Sequence, residues 1–183
     1  MQFIQSIDVD ILNFIQINLH NRIMDKIIPF ITELGNGGFI WIIISLIFIF
    51  TKKYRKHGLI MMLALILSGV IGSVILKPLV GRVRPFNVNK VIELLITAPL
   101  DFSFPSGHAM SSFAAATIIS KADKKLGICA FILAIAIAFS RLYLYVHYPS
   151  DVLVGGILGI VCGVITYNLV TNNVVYLKKL KIK

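Results

Sequence analysis

Residues 58–76, GLIMMLALILSGVIGSVIL, run without a single charged side chain. The hydrocarbon core of a bilayer is about 30 Å thick and takes roughly 20 helical residues to cross. The stretch therefore reads as a membrane span. Residues 126–140 (LGICAFILAIAIAFS) read the same way and extend to Val146 if Arg141 is accommodated, as do residues 152–171 (VLVGGILGIVCGVITYNLVT). Shorter apolar segments at 37–51 and 105–120 bring the number of spans to five. With 57% of its 183 residues hydrophobic, the chain carries more apolar surface than a water-soluble domain of this length can hide.

Upstream of these spans the pattern changes. Residues 7–20 (IDVDILNFIQINLH) place Ile7, Ile11, Phe14 and Ile15 at helical spacing, with Ile4 before them and Asp8, Asn13, Gln16 and His20 as polar positions. This predicts an amphipathic helix lying in the membrane interface. Residues 22–34 continue in that style, with Pro29 interrupting any helix, and Gly35, Gly37 and Gly38 make a turn before the first full span. A sixth span built from 4–34 would have to bury Arg22, Asp25 and Lys26, which is expensive. The first ten residues hold two aspartates and no basic residue, the reverse of a signal-peptide n-region.

The expected fold is all-α: a polytopic transmembrane helical bundle of about five spans, six at most, plus the N-terminal amphipathic helix. It forms one membrane-embedded domain over 1–183, divided into an amphipathic region 1–34, a transmembrane core 37–171 and a basic tail 172–183. Cys129 and Cys162 fall inside predicted spans and are expected as buried free thiols.

The net charge of +10 could suggest nucleic acid, but its distribution argues against that partner. Lys52, Lys53, Arg55 and Lys56 share one loop, Lys121, Lys124 and Lys125 another, and Lys178, Lys179, Lys181 and Lys183 the tail. Alternation of five spans puts all three groups on one side, with Asp123 as the lone acid there. The positive-inside rule makes that side, and the C-terminus, cytoplasmic; anionic lipid headgroups suffice as partners for these lysines. The opposite span ends, near 77–105 and 141–151, then face outward.

Three clusters gather at that outer end: Lys77 through Arg84-Pro85, Pro105-Ser106-Gly107-His108, and Ser140-Arg141 followed by His147 and Asp151. Lys77, Arg84 and Arg141 are three cations at one face, costly beside a membrane without a counter-ion. A phosphate dianion suits them, and the arginine fork matches its oxygens. Ser106-Gly107 opens a helix whose backbone N–H groups add to the same anion cradle. His147 and Asp151 lie four apart. The carboxylate can take the proton of one ring nitrogen and leave the other free to attack phosphorus. His108, without a neighbouring acid in sequence, suits the general acid for the leaving group and then the base for water. Arg82, Lys90, Glu93 and Asp101 read as solvated or headgroup-contacting residues, and Trp41, Tyr143, Tyr145 and Tyr148 as interfacial aromatics.

Taken together, Lys77-(six residues)-Arg84-Pro85, Pro105-Ser106-Gly107-His108 and Ser140-Arg141-(five residues)-His147-(three residues)-Asp151 resemble the three-part motif of the type-2 phosphatidic acid phosphatase superfamily. The resemblance covers roughly residues 24–172. It implies a helical bundle with a phosphohistidine on His147, support from Asp151, and leaving-group protonation by His108. It also implies phosphate held by Lys77, Arg84, Ser106, Gly107 and Arg141, without metal or other cofactor. Many members have six spans, whereas here the first is expected to be replaced by the amphipathic region.

The expected substrate is a phospholipid or isoprenoid lipid phosphate. Undecaprenyl diphosphate, hydrolysed to undecaprenyl phosphate at an extracytoplasmic site, leads; phosphatidylglycerophosphate and phosphatidic acid are the alternatives. Transfer to an acceptor other than water, or a silent lipid binder or transporter on the same scaffold, are further readings; the binder predicts a missing His108, His147 or Asp151. A vanadate-dependent haloperoxidase shares the cradle but not the hydrophobic spans. Oligomeric state is not written in the sequence.

Overall fold

The computed structural model describes residues 2–180, with side chains from 3 to 172. Helix α1 (Gln2–Asn18) stands first. Helix α2 (Met24–Gly35) runs through a turn at Asn36–Gly38 into α3 (Phe39–Phe50), and α4 (Arg55–Gly69) continues through a π-helical stretch, Val70–Leu76, into the short α5 (Lys77–Val80). After the single turn α6 (Pro85–Val88) and a loop come α7 (Gly107–Ala122), α8 (Lys124–Tyr143) and α9 (Pro149–Leu180). All regular structure among the described residues is helical, as expected.

Among the described residues four stretches are long and apolar enough to cross a membrane: Met24–Phe50, Arg55–Val88, Lys124–Tyr143 and Pro149–Asn172. The first begins earlier than the sequence suggested. α2 and α3 form one kinked span, bent where Gly37 and Gly38 take φ of 58° and 75°, a region open to glycine. Asp25 and Lys26 lie at its first turn, so the charges that argued against a span sit only at its end. The fifth expected segment, α7, has 16 residues and lies among α4, α8 and α9. A helix ringed by protein needs no long lipid-facing stretch of its own.

Close approach of α7 and α9 rests on a stripe of glycines. A β-carbon at Gly155 would come within 2.7 Å of the Ser106 carbonyl oxygen, and one at Gly163 within 2.9 Å of Thr117 Cβ. Small residues four apart let backbones meet where hydrophobic exclusion gives no driving force. Outward, Ile47, Phe50, Ile66, Ile132, Leu153 and Leu169 remain exposed, as lipid-facing side chains should.

Several sequence expectations change here. Trp41, Tyr143, Tyr145 and Tyr148 are buried, not interfacial. The Trp41 indole donates to Ser112 Oγ at 2.8 Å, and the Tyr143 hydroxyl to Asp25 at 2.7 Å, so each polar tip finds a partner inside the protein. Cys162 is buried but Cys129 is exposed, on the outer face of α8; both are free. α1 packs against α8 and α9 with Leu12, Ile15 and Asp8 inward, leaving Ile4, Ile7, Ile11 and Phe14 exposed. Of the expected apolar face only Ile15 turns inward, beside Asp8. The side chains of Lys178 and Lys179, and all of Lys181 and Lys183, lie outside the described residues.

Candidate active site

Lys77, Arg84, Gly107, His108, Arg141 and His147 line one cavity of about 660 Å³. They come from three separate stretches of chain, as the charge argument required. Lys77 stands at the end of the π-helical stretch, a local underwinding common at functional positions. Ser106 caps α7, its hydroxyl accepting from the Ala109 N–H at 3.5 Å, so Gly107 opens that helix at the cavity wall. His108 in the next position packs on Gly35, where a β-carbon would come within 2.7 Å of its ring. Between α8 and α9 the chain turns tightly. Tyr145 takes φ of 57°, uncommon without glycine, and the N–H groups of Val146 and His147 both point at the Arg141 carbonyl. That turn aims His147 at the cavity.

The hydrogen bonds fix the imidazole's tautomer. Arg84 Nη1 lies 3.1 Å from His147 Nε2. A guanidinium only donates, so Nε2 carries the lone pair and Nδ1 the proton. Nδ1 faces Asp151 Oδ2 at 3.6 Å. That is the expected direction, although the separation exceeds a formed hydrogen bond; such contacts commonly tighten on substrate binding. Burial pushes the His147 imidazole below its usual range; the Asp151 carboxylate opposes this, and the positive charges of Arg84 and Arg141 reinforce it. The ring is neutral at pH 7, the state a nucleophile needs.

His108 Nε2 and Arg141 Nε are buried at the cavity and lack protein partners. Two such atoms on one cavity mark groups kept for a ligand. Arg141 Nη1 is steadied by the Thr32 hydroxyl at 2.5 Å, leaving the rest of its fork available.

Two of the predicted site residues do not reach the cavity wall. Asp151 is buried behind His147, and Ser106 faces its own helix, its backbone N–H donating to the Asp151 carbonyl at 3.1 Å. Two residues assigned to solvent stand instead at the site. Asp101 accepts hydrogen bonds from Lys77 and from Arg84, the latter at 2.5 Å. Arg82 contacts Asp151 at 2.5 Å. The Ser103 hydroxyl also donates to Asp151. Position between Lys77 and Arg84 was the available hint for Arg82; Asp101 and Ser103 had only their nearness to the Pro105–His108 cluster.

Against known proteins, residues 57–174 match the PAP2 superfamily model. The chain belongs to the PAP2 superfamily. An undecaprenyl-diphosphatase of Sulfolobus acidocaldarius is 33% identical over 150 residues, covering 81% of this chain and 70% of that protein. The crystal structure of a transmembrane PAP2-type phosphatidylglycerolphosphate phosphatase from Bacillus subtilis superimposes with a TM-score of 0.75 at 28% identity, covering 94% of this chain and 88% of that one. That of Aquifex aeolicus LpxE gives 0.77 at 28% identity, covering 87% and 94%. As a PAP2 protein the chain is a membrane-embedded phosphoric-ester hydrolase of the lipid phosphatase family.

Proposed function

We propose that this PAP2 protein hydrolyses an isoprenoid diphosphate carrier lipid, undecaprenyl diphosphate, to its monophosphate. The observation that carries the reading is the cavity itself: a neutral, oriented imidazole facing three cations, continuous with an apolar wall of Ile42, Met62, Leu65 and Ile66 fit for a hydrocarbon chain. The similarity to an undecaprenyl-diphosphatase supports that lipid.

In the reaction, His147 Nε2 attacks the terminal phosphorus and the bond to the bridging oxygen breaks. Lys77, Arg84 and Arg141, with the N-terminus of α7, hold the phosphoryl oxygens as charge shifts to the departing group. His108 protonates the leaving lipid monophosphate, then takes a proton from water as that water attacks the phosphohistidine. Inorganic phosphate departs and His147 is regenerated. Asp151 accepts from Nδ1–H and stabilises the positive charge the ring acquires. Ser106 contributes by capping α7 and Gly107 by letting the phosphate approach its backbone. No step uses a metal, so EDTA should leave the rate unchanged.

The test is a substrate panel in detergent. Undecaprenyl diphosphate should be preferred over phosphatidylglycerophosphate, and His147→Ala should lower turnover by at least about a thousandfold while lipid binding persists. Acid-labile, base-stable phosphate should be trapped on His147 of the unaltered protein. A strong preference for the glycerophospholipid would favour the second reading, supported by likeness to the phosphatidylglycerolphosphate phosphatase. The sorted basic loops support an extracytoplasmic site and a cytoplasmic C-terminus.

A further inference from the structure

Arg82 takes no part in the cavity wall, yet its guanidinium makes four side-chain hydrogen bonds, as many as Arg84 on the wall itself. Its Nη1 donates to Asp151 Oδ1 at 2.5 Å and to Ser150 Oγ at 2.7 Å. Its Nη2 donates to Asp8 Oδ2 and Gln5 Oε1, both at 2.7 Å. The guanidinium also lies 3.9 Å from the centroid of the Tyr148 ring. Asp8 in turn accepts from the Ser150 N–H at 2.8 Å and hydroxyl at 2.5 Å. Asp8 and Asp151 are both buried, on helices at opposite ends of the chain, and Arg82 joins them.

We propose that Arg82, locked by Asp8 of α1, is the positioning residue that aims the Asp151 carboxylate at His147, which makes α1 part of the catalytic apparatus. The inference rests on the phosphohistidine reading of the site. The Asp151 carboxylate has two oxygens with separate duties. Oδ1 is engaged by Arg82, while Oδ2 accepts from the Ser103 hydroxyl and the Tyr148 N–H and faces His147 Nδ1. Fixing Oδ1 fixes the plane of the group, and with it the direction of Oδ2. Charge points the same way. Two buried carboxylates share one guanidinium, so the triad carries one net negative charge. A ring bonded to phosphorus at Nε2 and protonated at Nδ1 is positive, and it is the group this excess charge complements. Lysine could not replace the arginine, because only a planar fork reaches both carboxylates at once.

The test uses the full-length protein in detergent with p-nitrophenyl phosphate, so that it does not depend on which lipid is natural. Arg82→Ala should lower kcat by about 30- to 100-fold with KM within about threefold of the unaltered value, the scale of a misplaced catalytic group. Arg82→Lys should recover only part of that loss. Asp8→Asn keeps the shape of its site and should lower kcat by about tenfold without a fall in melting temperature; it carries the test if Arg82→Ala does not fold. The Arg82→Ala, Asp151→Asn double variant should be no slower than Asp151→Asn alone, within about twofold, because both changes disable one unit. Additive losses in the double variant, a rise in KM at constant kcat, or wild-type kcat in Asp8→Asn would each overturn the inference. Turnover of p-nitrophenyl phosphate without turnover of any isoprenoid diphosphate would overturn the substrate reading alone.

Discussion

The Asp101 carboxylate takes hydrogen bonds from Lys77 and Arg84, the two donors a phosphoryl group would also take. Bound phosphate must therefore share or displace it. Burial works against its ionisation, but the hydrogen bonds and charges of Lys77 and Arg84 outweigh that and hold its pKa down to about 2 from 3.8. A depressed carboxyl stabilises the fold above its unfolded value and loses that contribution only as pH falls toward about 2. Asp101 thus stays ionised at any practical assay pH. Asp101→Asn should lower KM by roughly fivefold, corresponding to about 1 kcal/mol for a half-exposed charged pair, and leave the acid limb of kcat in place. Initial-rate kinetics from pH 5 to 8 check both; an unchanged KM would show that Asp101 and phosphate do not compete. The sequence hid this competition, because Asp101 lies in a polar loop where an acid ordinarily meets water.

At the scale of elements, hydropathy revealed the spans because lipid on one side and protein on the other both demand apolar residues. It could not say which helix is central, since α7 read only as a shorter apolar segment, as 37–51 did. Nor could it show that α1 turns Asp8 inward, where Arg82, 74 residues away, and Ser150 both wait for it. The glycines separate packing from propensity in a way that can be measured. Gly159 meets α7 at the Met110 carbonyl oxygen, which a β-carbon would overlap, and at the Ala114 N–H, which it would approach to 3.1 Å, both rigid backbone. Gly159→Ala should destabilise the protein by about 1–3 kcal/mol, as overpacking does. Gly69 in α4 has no atom within 4 Å of its β-carbon position, so Gly69→Ala should instead stabilise by about 0.5–1 kcal/mol through helix propensity. Melting of the two variants in detergent reads the contrast, and equal shifts would mean the α7–α9 contact is looser than its geometry.

Over the whole molecule, charge and chemistry lie at opposite ends. The turn between α3 and α4 carries Lys52 and Lys53, and Lys53 is near enough to the turn between α7 and α8 to feel the charge of Asp123. The cavity residues cluster where α5, the loop before α7 and the α8–α9 turn meet. This separation was legible from sequence, because span alternation and the three motif clusters agree on it without any distance being known. The proposed membrane side rests on charge: eleven of the eighteen basic residues fall in the two loops and the tail, and such segments resist translocation. In a background with Cys129→Ala and Cys162→Ala, Val91→Cys should react with a membrane-impermeant maleimide on intact cells, whereas Lys53→Cys should react only after permeabilisation. Val91 is almost fully exposed on the loop before α7, so burial would not mask it. The reverse pattern would put the cavity on the cytoplasmic leaflet. The choice of isoprenoid substrate would then lose its topological support.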